Sequence, residues 1–263
     1  RLFQLFKVPL GDMGAQNMKM FDGEDSQEDI ERHALEWIAN NRAMVNSWVA
    51  SAKAAPTAGA TPGEGITLSP VKPTWDTEWF QLEVLLQVLG ELGYTWEPAE
   101  AITNDAAFLS IATGDVDFWA SSWFPLHDTY IENAKVGPYV ENVGYVAKAG
   151  GMEGFLINKS AFDDLGVDNL GDLADPEVAA LFDFDGDGMA DLYGCPPGWG
   201  CEMKIEGMLD EFALRDTVTH VKADWAAGMA DALSRFKKGE NIIYYTWTPN
   251  WTVGALVPGK DVV

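Results

Sequence analysis

Basic residues are scarce in this 263-residue chain. Lysine and arginine number 17 against 41 aspartate and glutamate residues, which gives a formal net charge of -24 at pH 7. A charge of this size repels nucleic acid and anionic membrane surfaces, so nucleic acid is excluded as a partner. No apolar run approaches the roughly 18 residues that a membrane-spanning helix needs. The sequence therefore predicts no such helix.

Histidine and cysteine are also rare, with three and two residues, and this limits the kinds of site that the chain can build. The sequence has no G-x-S-x-G motif, and Cys195 and Cys201 are not spaced as C-x-x-C. A hydrolase is therefore not expected. The two cysteines are close enough along the chain to close one small disulfide loop. A reactive thiol pair and half a metal site are the alternatives.

Helical and strand patterns alternate along most of the chain. Apolar residues at helical spacing predict two amphipathic helices within residues 25–52, and small residues with proline and glycine predict a linker at residues 53–65. From Ile66 onward, helices alternate with strand-like segments, among them ITLSP, TWEPA, VDFWA, GFLIN and NIIYYTW. This order is typical of an α/β fold with a mostly parallel sheet. The glycine pair Gly150 and Gly151 marks the predicted crossover between two lobes.

Eleven tryptophans fall mainly into two groups. Three lie on apolar helical stripes and are predicted core residues: Trp37, Trp48 and Trp225. Three others lie in loops next to predicted strand ends: Trp123, Trp199 and Trp247. Ligands bind at such strand ends in open α/β sheets. The loop tryptophans either cap the sheet edges or together form an aromatic box for a quaternary ammonium group.

An anion site is predicted beside one of the loop tryptophans. A helix is expected to begin at about Glu202, which leaves the amides of Gly200 and Cys201 unpaired at its positive end. His127 lies four residues after Trp123 and either donates to the same anion or has a structural role. A cation box beside an anion site describes a small zwitterion such as a betaine, bound with roughly micromolar affinity.

An acidic segment, DFDGDGMADL, is similar to a calcium-binding loop. Asp183, Asp185, Asp187 and Asp191 occupy positions 1, 3, 5 and 9 of such a loop, but Gly194 occupies position 12 in place of the usual glutamate. The segment therefore either binds a structural calcium ion or forms a solvated acidic turn. No other metal and no cofactor is expected.

Several motifs together resemble the glycine betaine/proline betaine-binding proteins of ABC uptake systems. The resemblance rests on WFPLHD, LFDFDGDGMADLYGCPPGWGCE, TVTH and YYTWTPNW, and extends from about Ile66 to Val263. It implies a two-lobed, type II periplasmic binding protein that closes on its ligand, with a disulfide between the two cysteines. It also implies that the three loop tryptophans surround a trimethylammonium group. The carboxylate contacts would fall on His127 and on the backbone of Gly200 and Cys201.

The order of the segments departs from that family. Residues 1–52 resemble the family's C-terminal end, yet here they come first and are joined by the linker to what resembles the mature N-terminus. This order is interpreted as a circular permutation. In addition, a family stretch that would follow GKDVV and precede RLFQLF is missing. A natural rearrangement, an engineered permuted sensor scaffold and a partial sequence remain open. The predicted domains are residues 1–52 packing on lobe A, linker 53–65, lobe A 66–148 and lobe B 149–263.

The sequence thus predicts an extracytoplasmic binding protein and not an enzyme. It would capture glycine betaine or proline betaine in the periplasm and deliver it to an ABC-transporter permease for osmoprotection. We expect a monomer. Choline, carnitine and dimethylsulfoniopropionate are alternative ligands, because one methyl group changes the fit by only about 1 kcal/mol. A lectin-like sugar-binding module is the alternative class, although these loops are rich in glycine and proline instead of the polar side chains that sugars require.

Overall fold

A computed structural model describes residues 1–54 and 61–263. This part of the chain divides into two compact units, Arg1–Gly151 and Met152–Val263, and the boundary directly follows the glycine pair of the predicted crossover. Within the predicted linker, residues 55–60 lie outside the described residues, Lys53 ends a helix, and residues 61–65 form turns. Within the described ranges, no helix combines the length and apolar character that crossing a membrane requires.

Helices dominate the N-terminal unit. They are α1 (Leu2–Leu5), α2 (Leu10–Phe21), α3 (Gln27–Asn40), α4 (Arg42–Lys53), α5 (Trp79–Gly90), α6 (Asn104–Thr113) and α7 (Asp128–Ile131). The strands are short: β1 (Thr67–Leu68), β2 (Lys72–Pro73), β3 (Thr95–Trp96) and β4 (Ala101–Ile102). β1 pairs in parallel with β3, and β2 pairs in parallel with β4. Two 3-10 helices cover Asp76–Glu78 and Gly137–Tyr139.

The strand predicted at VDFWA is reduced to an isolated bridge between Pro70 and Phe118. Asp117 N donates to Ser69 O, and Val71 N donates to Phe118 O. Between these two bonds lies Pro70, which has no N–H to extend a ladder of hydrogen bonds. The strand prediction at this segment was therefore too long.

The core of the N-terminal unit forms around α5. This helix is apolar on most sides, a pattern typical of a buried helix, and most of its residues are buried. Trp37 of α3 stacks on Trp48 of α4 with 6.4 Å between ring centroids, and Phe80 of α5 meets Trp37 edge-on. The predicted core positions of both tryptophans are confirmed. Helices α1 to α4 share one hydrophobic cluster with α5.

The C-terminal unit is built on one four-stranded sheet of order β5-β8-β6-β7. Its strands are β5 (Met152–Ile157), β6 (Ala190–Tyr193), β7 (Val218–Val221) and β8 (Ile243–Thr248). Its α-helices are α8 (Lys159–Leu165), α9 (Pro176–Ala179), α10 (Gly200–Glu211), α11 (Trp225–Lys237) and α12 (Thr252–Ala255). β6 pairs in parallel with β7 and β8, whereas β5 runs antiparallel to β8. The sheet is mostly parallel, as predicted, with one antiparallel edge strand.

The carboxyl ends of β6 and β8 position two segments of the predicted site. β6 ends at Tyr193 and leads into the segment that holds both cysteines, while β8 ends one residue after Trp247. Leu192 pairs with Ile243 across the two parallel strands. Because parallel neighbours end at the same edge of a sheet, the segment after β6 and the end of β8 lie side by side.

Candidate functional site

The two cysteines form a disulfide that closes the segment between β6 and α10. Cys195 and Cys201 are joined with 6.0 Å between their Cα atoms, and both are buried. Between them, Gly198 has a φ of 91°, a left-handed conformation that glycine adopts without steric cost. The chain can turn back on itself at this residue. The predicted disulfide is therefore confirmed.

Helix α10 begins at Gly200, two residues before the predicted start at about Glu202. The earlier start arises because Trp199, which precedes the helix in an extended conformation, already accepts a hydrogen bond from Glu202 N through its carbonyl oxygen. Gly200 and Cys201 are thus the first two helical residues, whose N–H groups have no carbonyl one turn earlier to bond with. The positive end of the helix dipole lies at these amides.

Four tryptophans meet in one cluster of the C-terminal unit: Trp199, Trp225, Trp247 and Trp251. Trp247 contacts Trp199 edge to face, with 5.9 Å between ring centroids, and lies 4.6 Å from Trp225. Trp199 and Trp247 are each only 7% exposed. Desolvated indoles of this kind give the stronger cation–π contacts. Trp225 is buried, as predicted for a core residue. It also packs against Trp247, which is a predicted residue of the aromatic box.

A second aromatic cluster surrounds His127 in the N-terminal unit. The ring centroids within 6.3 Å of its imidazole belong to Trp75, Phe108, Trp119, Phe124 and Tyr130. Trp123 is half-buried, and its indole Nε1 donates a hydrogen bond to the Glu78 carboxyl group. One unit therefore holds Trp123 and His127, and the other holds Trp199, Gly200, Cys201 and Trp247.

Both ring nitrogens of His127 have protein partners. Nδ1 accepts a hydrogen bond from Trp123 N at 3.0 Å and lies 2.9 Å from Ser122 Oγ, and Nε2 lies 3.0 Å from the amide of Asn104. Burial lowers the pKa of His127 to about 3, so the imidazole is neutral at pH 7. It cannot attract a carboxylate by charge. Its contact with a ligand stays a prediction.

The acidic segment folds into a tight turn. One carboxylate oxygen from each of Asp183, Asp185 and Asp187 lies within 4.8 Å of the others. Asp183 also accepts backbone hydrogen bonds within the turn, and these lower the pKa of its carboxyl group. Asp191 is buried and accepts a bond from Phe184 N at 2.9 Å, while burial raises the pKa of Asp191. Calcium binding by these four residues stays a prediction.

A family profile described as the substrate binding domain of ABC-type glycine betaine transport system matches residues 66–262. The chain belongs to this family. It is a family of substrate-binding domains and not of enzymes. The matched range contains both aromatic clusters, the disulfide and α10.

Two curated relatives show how far the likeness extends. The chain is 44% identical over 202 residues to the glycine betaine/proline betaine-binding periplasmic protein of Escherichia coli (strain K12), covering 77% of this chain and 61% of the relative. It is 41% identical to the glycine betaine-binding periplasmic protein OusX of Dickeya dadantii (strain 3937), covering 77% and 60%. The chain thus spans about three fifths of the length of the curated relatives that it matches.

Solved structures agree on the fold. Lactococcal OpuAC in its closed-liganded conformation with glycine betaine matches with a TM-score of 0.59 and 22% identity, covering 75% of this chain and 69% of that one. The glycine betaine, L-proline-binding protein ProX from Borrelia burgdorferi matches with a TM-score of 0.62 and 21% identity, covering 75% and 67%. The substrate-binding domain therefore has the α/β fold of periplasmic binding proteins.

The domain also contains a buried carboxyl group that the sequence pattern does not indicate. Glu78 is only 4% exposed, although its position just before α5 suggests an exposed acid at a helix start. Burial raises the pKa of Glu78 to about 8, opposed by hydrogen bonds first from Trp123 and then from Trp75 and Ser121. Glu78 reaches Trp123 across 45 residues of chain. No local signal could have found this pair.

Proposed function

We propose that this chain binds glycine betaine, or a close relative such as proline betaine, as the periplasmic binding component of an ABC uptake system. One observation carries the proposal: residues 199–201 join an indole to two helix-terminal amides, and Trp247 lies 5.9 Å from that indole. Aromatic faces attract a quaternary ammonium group, and helix N-termini attract a carboxylate. Both charges of a betaine thus find complementary groups in one part of the C-terminal unit.

Trp123 and His127 are proposed as the ligand-binding residues of the N-terminal unit. Each desolvated aromatic face contributes about 0.5 to 2 kcal/mol toward a cation, so three indoles alone give a few kcal/mol. Hydrogen bonds from the amides of Gly200 and Cys201 to a carboxylate add about 1.5 to 3 kcal/mol each. After the cost of ordering the ligand, the sum corresponds to roughly micromolar affinity. Such affinity suits capture and release to a membrane permease.

The order of the segments also belongs to the proposal. We propose that residues 1–52 take the place of the family's C-terminal helices in circularly permuted order. In support, α1 to α4 share one hydrophobic cluster with α5, which lies inside the range that the family profile matches. The first helices are therefore an integral part of the N-terminal unit and not an appended segment.

Calorimetric titration with a ligand panel tests the proposed function. Glycine betaine and proline betaine are expected to bind with roughly micromolar affinity. Carnitine and dimethylsulfoniopropionate also carry an onium group and a carboxylate. Their affinities show how closely the site fits ligands of different shape. Choline, which lacks the carboxylate, is expected to bind more weakly because it leaves the amides of Gly200 and Cys201 unused. Heat from sugars alone, or from none of the onium compounds, contradicts the proposal.

Opening the disulfide between Cys195 and Cys201 is expected to weaken betaine binding about tenfold. Closing so short a loop stabilises the fold by only about 2 kcal/mol, but it also holds Trp199 and the two helix-terminal amides in fixed positions. The measurement compares calorimetric affinities before and after reduction, with intact mass after alkylation confirming two free thiols. The control is the variant with both cysteines replaced by serine, which should bind like the reduced protein and not respond to reductant. Equal affinity in all forms would show that the loop keeps its shape without the bond.

A further inference from the structure

His220 lies near the end of β7 and joins three parts of the C-terminal unit. Its side chain is only 3% exposed. The backbone N–H of Cys195 donates to Nε2 at 3.0 Å, and Nδ1 lies 2.8 Å from Glu206 Oε1. Because Nε2 accepts a hydrogen bond, the proton of the neutral ring belongs on Nδ1, which donates to Glu206. The tautomer of His220 is thus set by its two partners.

The packing of His220 against the disulfide loop also explains the glycine at position 194. A Cβ atom at Gly194 would lie 2.0 Å from Nε2 and 2.2 Å from Cδ2 of His220. No larger residue fits there while the ring keeps its place. Gly194 N donates to Val221 O at 3.2 Å, which holds this residue beside β7. Gly194 occupies position 12, where a calcium loop carries its glutamate, and its lack of a side chain leaves room for the imidazole ring.

We propose that His220 is a positioning residue of the betaine site, which fixes the start of the disulfide loop through Cys195 N and thereby the placement of Trp199 and of the two helix-terminal amides. This inference rests on the proposed function. His220 does not need to touch the ligand for this role. It acts on one end of a loop whose other end is α10, and the disulfide ties the two ends together.

The burial of His220 keeps the imidazole in the neutral, accepting state, and the neighbouring glutamates oppose this effect. Burial lowers the pKa of His220, opposed by its hydrogen bond to Glu206. From α10, Glu206 and Glu202 face the ring, and Lys222 follows it on the chain. Lys222 bonds to both glutamates, and Arg215 pairs with Glu206. Protonation of Nε2 would place two donors against each other, so acid should release Cys195 N from its acceptor.

Two variants separate the effect of the hydrogen bond between Cys195 N and His220 from the effect of protonating the imidazole. His220→Gln keeps an acceptor that can reach Cys195 N but does not titrate, whereas His220→Phe keeps a ring of similar size without any acceptor. Betaine affinity of the wild-type protein is expected to hold down to about pH 6.5, the ordinary pKa of histidine, and to fall at more acid pH, because burial lowers the pKa of His220. His220→Gln should bind nearly as the wild type at pH 7 and lose this acid dependence. His220→Phe should bind about tenfold more weakly at every pH, because a buried N–H is left unpaired.

A ligand-independent readout and a matched control complete the experiment. Hydrogen exchange of the Cys195 amide, measured by NMR, should be slow in the wild type and His220→Gln and at least about tenfold faster in His220→Phe. The control is His33→Gln, since His33 is also buried and bonded to a glutamate, Glu24, but lies in the N-terminal unit. It should keep the acid dependence. Thermal unfolding confirms that each variant is folded.

The outcomes distinguish this proposal from the proposed function. If the wild type binds none of the onium ligands, the proposed function fails, and the exchange of the Cys195 amide still decides whether His220 holds the loop. If the wild type binds betaine and His220→Phe binds equally well with unchanged exchange, the positioning role is overturned. Loss of the acid dependence in His33→Gln, with its retention in His220→Gln, overturns it as well.

Discussion

Replacing Trp199 with alanine is expected to weaken betaine binding about a hundredfold, which corresponds to about 2.7 kcal/mol. The indole stands directly before the first two amides of α10 and packs edge to face on Trp247 at 5.9 Å. Its removal deletes one face of the proposed cation box and leaves Trp247 without this neighbour. The expected loss therefore exceeds the contribution of about 0.5 to 2 kcal/mol from a single cation–π contact. Calorimetric titration with glycine betaine measures it directly.

The fold should survive this change because the disulfide and His220 hold the loop independently of the indole. A matched control is Trp96→Ala, since Trp96 is a partly buried tryptophan that packs on the core of the N-terminal unit outside both aromatic clusters. It should lower the unfolding temperature and leave the affinity unchanged. Unchanged betaine affinity in Trp199→Ala would remove this residue from the site. An equal loss of affinity in both variants would point to general destabilisation instead.

Local patterns predict the disulfide segment well because all of its determinants are close in sequence. Cys195, Gly198, Trp199 and Gly200 lie within six residues, and that short stretch contains the turn and the bond between sulfurs, although the helix begins two residues before its predicted start. Trp225 shows the limit of such patterns. Its helical spacing predicts burial but cannot specify which buried residues it meets, and in the fold it lies 4.6 Å from Trp247.

The residues that sequence patterns miss are those defined by contacts between distant segments. His220 bonds to Cys195 across 25 residues, and neither residue type nor spacing marks the pair. The antiparallel direction of β5 is likewise decided by its pairing with β8 and not by its composition. Hydrophobic alternation predicts that a strand exists, but strand direction depends on where the chain has come from. Tertiary contacts of this kind require the folded structure.

Replacing Glu78 with glutamine is expected to make the protein more stable at pH 8 by about 3 to 5 kcal/mol relative to the wild type, and to change little at pH 4.5. Burial raises the pKa of Glu78 to about 8, whereas the unfolded chain should titrate near 4.3. Between these values the unfolded state loses its proton and the folded state keeps it. The contribution of Glu78 to the stability of the wild type is therefore fully present below about pH 4.3, and it is lost as the pH rises toward 8.

Denaturant unfolding at several pH values measures the difference between the two proteins. The other carboxyl groups titrate in both proteins, so their effects cancel in the comparison. The difference in free energy of unfolding between Glu78→Gln and the wild type should therefore widen by about 1.4 kcal/mol per pH unit until Glu78 ionises. Glutamine keeps an oxygen that can accept the bond from Trp123 Nε1. Betaine affinity at pH 7 should then be nearly unchanged, which separates the charge of this group from its support of the indole.

A second buried glutamate on α5 provides the control for this prediction. Burial also raises the pKa of Glu83, but its carboxyl group accepts hydrogen bonds from Gln87 at 2.7 Å and from Gln27 at 3.0 Å, which oppose the shift. Glu83→Gln should therefore also be more stable than the wild type at pH 8, but by a smaller free energy than Glu78→Gln. Parallel stability curves for Glu78→Gln and the wild type would contradict a neutral Glu78. The indole of Trp123 would then rest on a carboxylate, and a net negative charge beside it would favour pure cations such as choline over zwitterionic betaines.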